Sequence, residues 1–237
     1  MFRGAMYFPM ERQVIRKERQ SGAYQLSSYY IGKIMAEFPV DTSLPMMAVC
    51  IYYWLVGLGD SAPTFILYIL STCLTVWVAS SFGTMIGCTL MDFERAITAL
   101  SVSGIFLMLL GGFYVQTKEI PVWISWIGYL SHFRWAVTST ENITMRHVSF
   151  SCASDGASSY TLCSTHKRIP GLEVLKNFGT DTRPWIGPVA MIALSCGWHC
   201  IAYYGLRKNT AVKNAMGEGK ELQVIEETPK IPTKTDK

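Results

Sequence analysis

Three stretches of the chain, residues 64–90, 96–115 and 184–206, hold no Asp, Glu, Lys or Arg. Each is longer than the ~18 apolar residues that mark a membrane-crossing helix. A fourth apolar stretch, residues 38–58, is interrupted by Asp41 and by Pro39 and Pro45, which predict a kink. At ~1.5 Å per residue it still crosses a hydrocarbon layer of about 30 Å. The pattern predicts an all-α membrane protein with four transmembrane helices, at 38–58, 64–90, 96–115 and 184–206. The segment "EIPVWISWIGYL", residues 119–130, is apolar but too short to span. Pro121 suits a first helical turn, and Trp123, Trp126, Tyr129, Phe133 and Trp135 suit headgroup depth, so a re-entrant external helix is expected there. Inside the second span, Gly83 and Gly87 stand four apart, with Ala79 and Ser80 one turn earlier. Such a face admits a close helix neighbour, although small residues are common in membrane helices for other reasons.

Charge sets the orientation. The segment before the first span carries Arg3, Arg12, Arg16, Lys17, Arg19 and Lys33, and basic residues resume after the last span at Arg207 and Lys208, whereas residues 59–63 carry none. The positive-inside rule places both termini in the cytoplasm and the loop 116–183 outside. Residues 1–10 lack the apolar core and cleavage site of a signal peptide, so insertion is expected to rest on the spans. Residues 209–237 mix Lys with Glu and contain Pro229 and Pro232, a composition that predicts a disordered cytosolic tail. The external loop holds Cys152 and Cys163, which an oxidising side allows to pair, two free thiols being the alternative. It also holds the sequon Asn142-Ile143-Thr144, a candidate glycosylation site.

Candidate chemistry is sparse. Cys196, His199 and Cys200 resemble metal spacing, but they offer only three ligands inside an apolar span, so small-residue packing with a polar helix contact is the better reading. A membrane-embedded enzyme using His132 or His199 would lack a paired nucleophile, acid or metal set. Gly217-Glu-Gly-Lys220 is not a phosphate loop, because Asn214 and Glu221 stand where the motif needs Gly and Ser or Thr.

The stretch before the first span has more order than charge bias requires. It reads "ERQVIRKERQSGAYQLSSYYIGK", residues 11–33. Gly22 breaks it, and Ser27 and Ser28 can cap a second helix leading into the first span. The expected shape is helix, bend, helix: a rigid cytosolic elbow, residues 1–33, ahead of a transmembrane domain at 34–208. The longer string "FPMERQVIRKERQSGAYQLSSYYIGKIMAEFP", residues 8–39, strongly resembles the first intracellular loop of G-subfamily (White-type) ABC half-transporters. "GGFYVQTKEIPVWISWIGYLSHFRW", residues 111–135, resembles that family's exit from its fifth membrane helix and its re-entrant helix. The order of spans agrees, and the resemblance reaches residue 208.

The resemblance implies spans three to six of a six-helix membrane domain, with the end of span two at the N-terminus. Family members begin with a nucleotide-binding domain that this sequence lacks; no Walker A or ABC signature motif occurs in it. The chain is therefore expected to bind no cofactor and, alone, to be no enzyme. ATP and Mg would sit on a nucleotide-binding domain in cis or in trans. The resemblance further implies a homo- or heterodimer with another half-transporter, contact with membrane lipid and none with nucleic acid, and a place in the plasma membrane. It assigns Glu18, with Arg19 and Tyr24, to coupling with the ATPase domain. It assigns Ser101, Ile105 and Met108 to the substrate cavity, and Phe113 and Tyr114 to a valve above it. Their i, i+4, i+7 spacing would also suit ordinary packing of the first three. Two functions stand: the membrane part of an ATP-driven exporter of lipids or other amphipathic molecules, a fragment of a longer product, or a truncated, non-transporting partner that pairs with full-length subunits.

Overall fold

The computed structural model describes residues 1–22, 24–57, 62–112, 114, 121–146, 148–152 and 168–210. Nine helices and two short strands are seen among the described residues. Helix α1, Phe2–Met10, is followed by α2, Arg12–Gln20, and α3, Leu26–Val56. The long apolar run forms α4, Ala62–Leu90, and a short turn leads into α5, Phe93–Leu109. The segment after it folds as a helical hairpin, α6 (Val122–Leu130) and α7 (His132–Met145). Strands β1 (Ser149–Ser151) and β2 (Arg168–Pro170) pair antiparallel, with Phe150 opposite Ile169. Helices α8, Gly171–Phe178, and α9, Ile186–Asn209, complete the described chain.

Three of these helices, α3, α4 and α9, are long and apolar enough to cross a membrane. Helix α5, the third expected span, has 17 residues and ends at Leu109 rather than at 115. The stop is local. Gly111 and Gly112 follow, and Gly112 adopts φ +87, a left-handed conformation that ends a helix at little cost to glycine. Helix α3 begins at Leu26 and runs on into the expected first span, so the second elbow helix and the span form one continuous helix across residue 33. Gln25 is its N-cap, with no side-chain cap bond, and Ser27 and Ser28 lie in the first turn instead of capping it. Pro39 and Pro45 both sit inside the helix. In the turn between them, the hydroxyls of Thr42 and Ser43 donate to the carbonyls of Phe38 and Val40, at 2.7 and 2.9 Å. Back-bonding of this kind to the preceding turn often bends a helix.

Helix α4 is the hub, in contact with α1, α3, α5, α7 and α9. Its small residues explain the tightest contact. A Cβ on Gly83 would lie 2.0 Å from the Met1 carbonyl oxygen, and one on Gly87 would lie 2.5 Å from that of Ala5. Only glycine lets the α1 backbone come that close. Around this seam Ala5, Val78, Phe82, Leu100 and Trp198 form one apolar core, and Phe8, Ile15, Tyr30, Cys88 and Leu206 a second nearer the elbow. The α6–α7 hairpin is pinned to α5 by the Ser131 hydroxyl, which donates to the Leu107 carbonyl at 2.7 Å. It is pinned to α4 by Ser71, whose Oγ donates to Ser139 Oγ at 3.0 Å.

Candidate functional site

The elbow forms as expected between α2 and α3, and Gly22 takes φ +68 at its bend. Glu18 and Tyr24 come together across that bend: the Tyr24 hydroxyl donates to Glu18 Oε2 at 2.7 Å. Burial first, and then the neighbouring Glu18 carboxylate, push the Tyr24 phenol up to about 12. The Ser21 hydroxyl donates to the Glu18 carbonyl and locks the same turn. Arg19 lies in α2, its side chain outside the described residues.

From Tyr24 the polar contacts continue into the spans. Its ring stacks on Tyr29, centroids 5.1 Å apart, and the Tyr29 hydroxyl donates to Glu11 Oε2. Lys33 Nζ donates to Glu11 Oε1 at 2.7 Å and lies 3.6 Å from Glu37. Burial alone would raise the Glu11 carboxyl, but the hydrogen bonds from Lys33 and Tyr29 outweigh it and hold Glu11 below its usual range. Arg3, from α1, then bridges Glu37 at 3.2 Å and Asp41 at 3.4 Å. Asp41 accepts from the Tyr7 hydroxyl at 2.8 Å and from the Ser80 hydroxyl at 3.0 Å. The result is a ladder that runs from Glu18 through the stacked pair Tyr24 and Tyr29 to Glu11, and then as alternating acid and base through Lys33, Glu37 and Arg3 to Asp41 in the middle of α3.

A second cluster lies one helix face away. Trp77 Nε1 donates to His199 Nε2 at 3.3 Å. An indole N–H is donor-only, so Nε2 is the accepting nitrogen and Nδ1 carries the proton toward the Tyr30 hydroxyl, 2.9 Å away. Tyr30 in turn donates to the His199 carbonyl at 3.3 Å. Ser81 lies 2.9 Å from His199 Nε2 and 2.7 Å from Ser195 Oγ. His199 thus holds α3, α4 and α9 together, a larger role than the single helix contact expected of it. Its neighbours Cys196 and Cys200 are exposed free thiols, and no group of three metal-binding side chains is found among the described residues.

The expected cavity residues share the face of α5 that the chain leaves open. Ala96, Leu100, Gly104 and Leu107 form the buried face. Ile105 is exposed, and Ser101 and Met108 are half-exposed. Of the expected valve, Tyr114 is exposed, and Phe113 lies outside the described residues.

The loop side places the sequon asparagine in a buried contact. Asn142 is only 3% exposed, and its Nδ2 donates to the carbonyls of Thr138 and Thr180, both at 2.8 Å. A glycan would replace one of those hydrogens and needs space the fold does not leave. The asparagine of the sequon is a staple between α7 and the loop before α9. Glu141 accepts from the Thr180 hydroxyl at 2.7 Å, and Arg146 reaches the Thr182 carbonyl at 3.0 Å in the same contact. Gly171 closes it, since a Cβ there would lie 1.8 Å from the Met145 carbonyl oxygen. Cys152 is disulfide-bonded, while Cys163 lies outside the described residues.

Comparison with known families follows this architecture. The model of the ABC-2 type transporter family matches residues 1–144. The chain belongs to that family. Its relatives include ABC transporter G family member 21 of Arabidopsis thaliana, 32% identical over 87% of this chain. They include the broad substrate specificity ATP-binding cassette transporter ABCG2 of Bos taurus, 28% identical over 79% of it, and Protein white of Drosophila melanogaster, 29% identical over 84%. These place the ABC-2 domain among the G-subfamily (White-type) half-transporters. The chain spans 29%, 28% and 28% of those three proteins, less than a third of each. The elbow and ladder lie inside the ABC-2 match. Sequence reasoning found Glu18 and Tyr24 but missed Arg3, Tyr7, Glu11, Glu37 and Asp41. The signal for two of the five, Glu37 and Asp41, was present, since they follow Lys33 at intervals of four residues and must share one helical face with it.

Proposed function

We propose that this chain is the membrane-spanning part of an ATP-driven exporter of lipids or other amphipathic molecules. It works as a homo- or heterodimer, with both termini cytoplasmic and the plasma membrane as its site. A nucleotide-binding domain, in cis or in trans, supplies ATP hydrolysis and holds ATP and Mg. The observation that carries this reading is the continuity of the ladder from Glu18 to Asp41. A domain that docks on the elbow through Glu18, Arg19 and Tyr24 displaces α2, and the ladder passes the displacement to α3 and α1. Helix α1 touches α5, where the Met1 side chain lies beside Gly104. Movement at the elbow thereby reaches the face holding Ser101, Ile105 and Met108, which lines the substrate path, with Phe113 and Tyr114 as its valve. Pairing of Cys152 with Cys163 would close the external loop.

Replacing Glu18 with Gln tests the reading in vesicles that contain the chain together with its nucleotide-binding domain. A charge-assisted hydrogen bond of this type contributes about 1.5–3 kcal/mol. Transport and substrate-stimulated ATP turnover should fall together, by roughly ten- to hundredfold, with insertion and dimerisation unchanged. Normal values of both would sink the coupling role.

A further inference from the structure

Arg134, in the first turn of α7, is a cation without a counter-charge. Its guanidinium carbon lies 4.2 Å over the Tyr129 ring, which holds the group at the corner of the α6–α7 hairpin. Nη1 is enclosed and has no hydrogen-bond acceptor. The Leu110 carbonyl comes close to the same spot beside Gly128 and still makes no bond with it. Among the described residues no carboxylate stands within ion-pair reach of Arg134. The carboxylate of its own helix, Glu141, is seven residues further on, about 10 Å by helix rise, and accepts from Thr180 instead. An enclosed guanidinium donor left unpaired is costly, and a fold that keeps one points to an acceptor brought from outside.

The surroundings say where that acceptor comes from. Helix α6 turns Val122, Trp123, Trp126 and Tyr129 outward, with Trp123 76% and Trp126 62% exposed. Steps of three and four residues keep this set on one side of the helix. Rings with an exposed apolar body and a polar tip settle at the headgroup depth of a bilayer. Trp135 Nε1 donates to the Tyr129 carbonyl at 2.9 Å and fixes the corner where Tyr129 and Arg134 meet. Arg134 is thus carried by an aromatic face at the depth where phospholipid phosphates lie. A guanidinium presents parallel N–H groups that match two phosphate oxygens, and this one is half-buried, so its direction is set before a ligand arrives.

We propose that the α6–α7 hairpin binds the phosphodiester of a membrane phospholipid on Arg134, with the acyl chains lying along Trp123 and Trp126. The site uses no ATP and does not depend on which side of the membrane the hairpin faces, so its test is independent of the transport reading. The chain is placed in nanodiscs of digalactosyldiacylglycerol, a bilayer lipid without phosphate. The probe is phosphatidylglycerol with brominated acyl chains, whose head carries the phosphodiester and no cation. Bromine quenches the indoles it touches, and the Trp126 signal is taken as wild type minus Trp126→Phe. Brominated phosphatidylglycerol should reach half-maximal quenching at a lipid fraction about tenfold below brominated galactolipid. Arg134→Gln should bring the two curves together. Arg134→Lys, which keeps the charge and loses the fork, should narrow the gap without closing it. Quenching by the galactolipid should be the same in all three proteins, because the aromatic face still meets the membrane. An undiminished gap in Arg134→Gln or in Arg134→Lys would overturn the site. So would equal curves for the wild type, a gap erased by inorganic phosphate (a soluble anion on Arg134), or no quenching of Trp126 by either lipid (a protein surface, such as a second copy, over the hairpin).

Discussion

Asn142 spends both amide hydrogens on backbone carbonyls, so its loss should be felt as stability and not as a missing glycan. Asn142→Ala removes the donor to the Thr180 carbonyl and the acceptor of Arg146, and should cost about 1–3 kcal/mol in thermal unfolding. Endoglycosidase treatment of the wild type should leave gel mobility unchanged. The neighbouring Glu141 and the elbow's Glu11 respond to acid in opposite ways. Burial raises the Glu141 carboxyl above its ordinary 4.5, with the Thr180 hydrogen bond pulling part of the way back. The fold therefore favours its protonated form, and the loop-side contact gains stability as pH falls from neutral toward 4.5. Glu11 is depressed, so its pairing with Lys33 is fully present above 4.5 and is lost only as pH falls below that value. Hydrogen exchange, corrected for its intrinsic pH dependence, should show residues 180–182 slowing on mild acidification while residues 11–29 stay unchanged. Glu141→Gln should abolish the slowing. Some of this was legible in the residues. Glu18 and Tyr24 stand six apart in a motif, and Lys33, Glu37 and Asp41 mark one helical face. Arg3 and Tyr7 were not legible as their partners, because each meets α3 from 34 residues away. The partnership of Tyr30 with His199, 169 residues apart, was hidden for the same reason.

At the scale of elements, the glycine seam between α1 and α4 makes a sharp prediction. Gly87→Ala puts a methyl group 2.5 Å from the Ala5 oxygen, so α1 must lift away, at about 1–3 kcal/mol or more. Gly32→Ala, on α3 with nothing within 4 Å of the new atom, should be neutral or slightly stabilising. A thermal melt of the two variants side by side checks this, and equal losses would remove the seam from the account. The spacing of Gly83 and Gly87 announced a close neighbour but could not say which. The boundaries of α4 followed from its uncharged run, since composition alone decides where a lipid-facing helix can lie. Helix α3 carries Lys33 and Glu37 from the elbow into the first span without a break. Their charges are answered by Glu11 and Arg3, which a pattern along one segment does not contain. Helix α5 was read too long because apolar character continues through 110–115, while Gly112 turns the backbone.

For the whole molecule, the expected division of labour is open to direct measurement. Purified alone, the chain should hydrolyse no ATP above a mock preparation and show no saturable labelling by a photoreactive ATP analogue. A tag at Lys237 should be reachable only after permeabilisation, and labelling on intact cells would overturn the proposed orientation. The broad class was legible because hydropathy dictates which segments can enter lipid. The packing order was not, because it depends on pairs far apart in the chain. The seam between α1 and α4 also has a consequence in time. Met1 and Ala5 are each synthesised 82 residues before the glycine that receives them. At ~5–20 residues per second, the ribosome makes Gly83 and Gly87 roughly 4–16 s later. Through that interval Arg3 has Glu37 and Asp41 for company long before α1 has its berth. An early hairpin of α1 on α3, held by opposite charges, would keep α1 beside its later neighbours until α4 arrives.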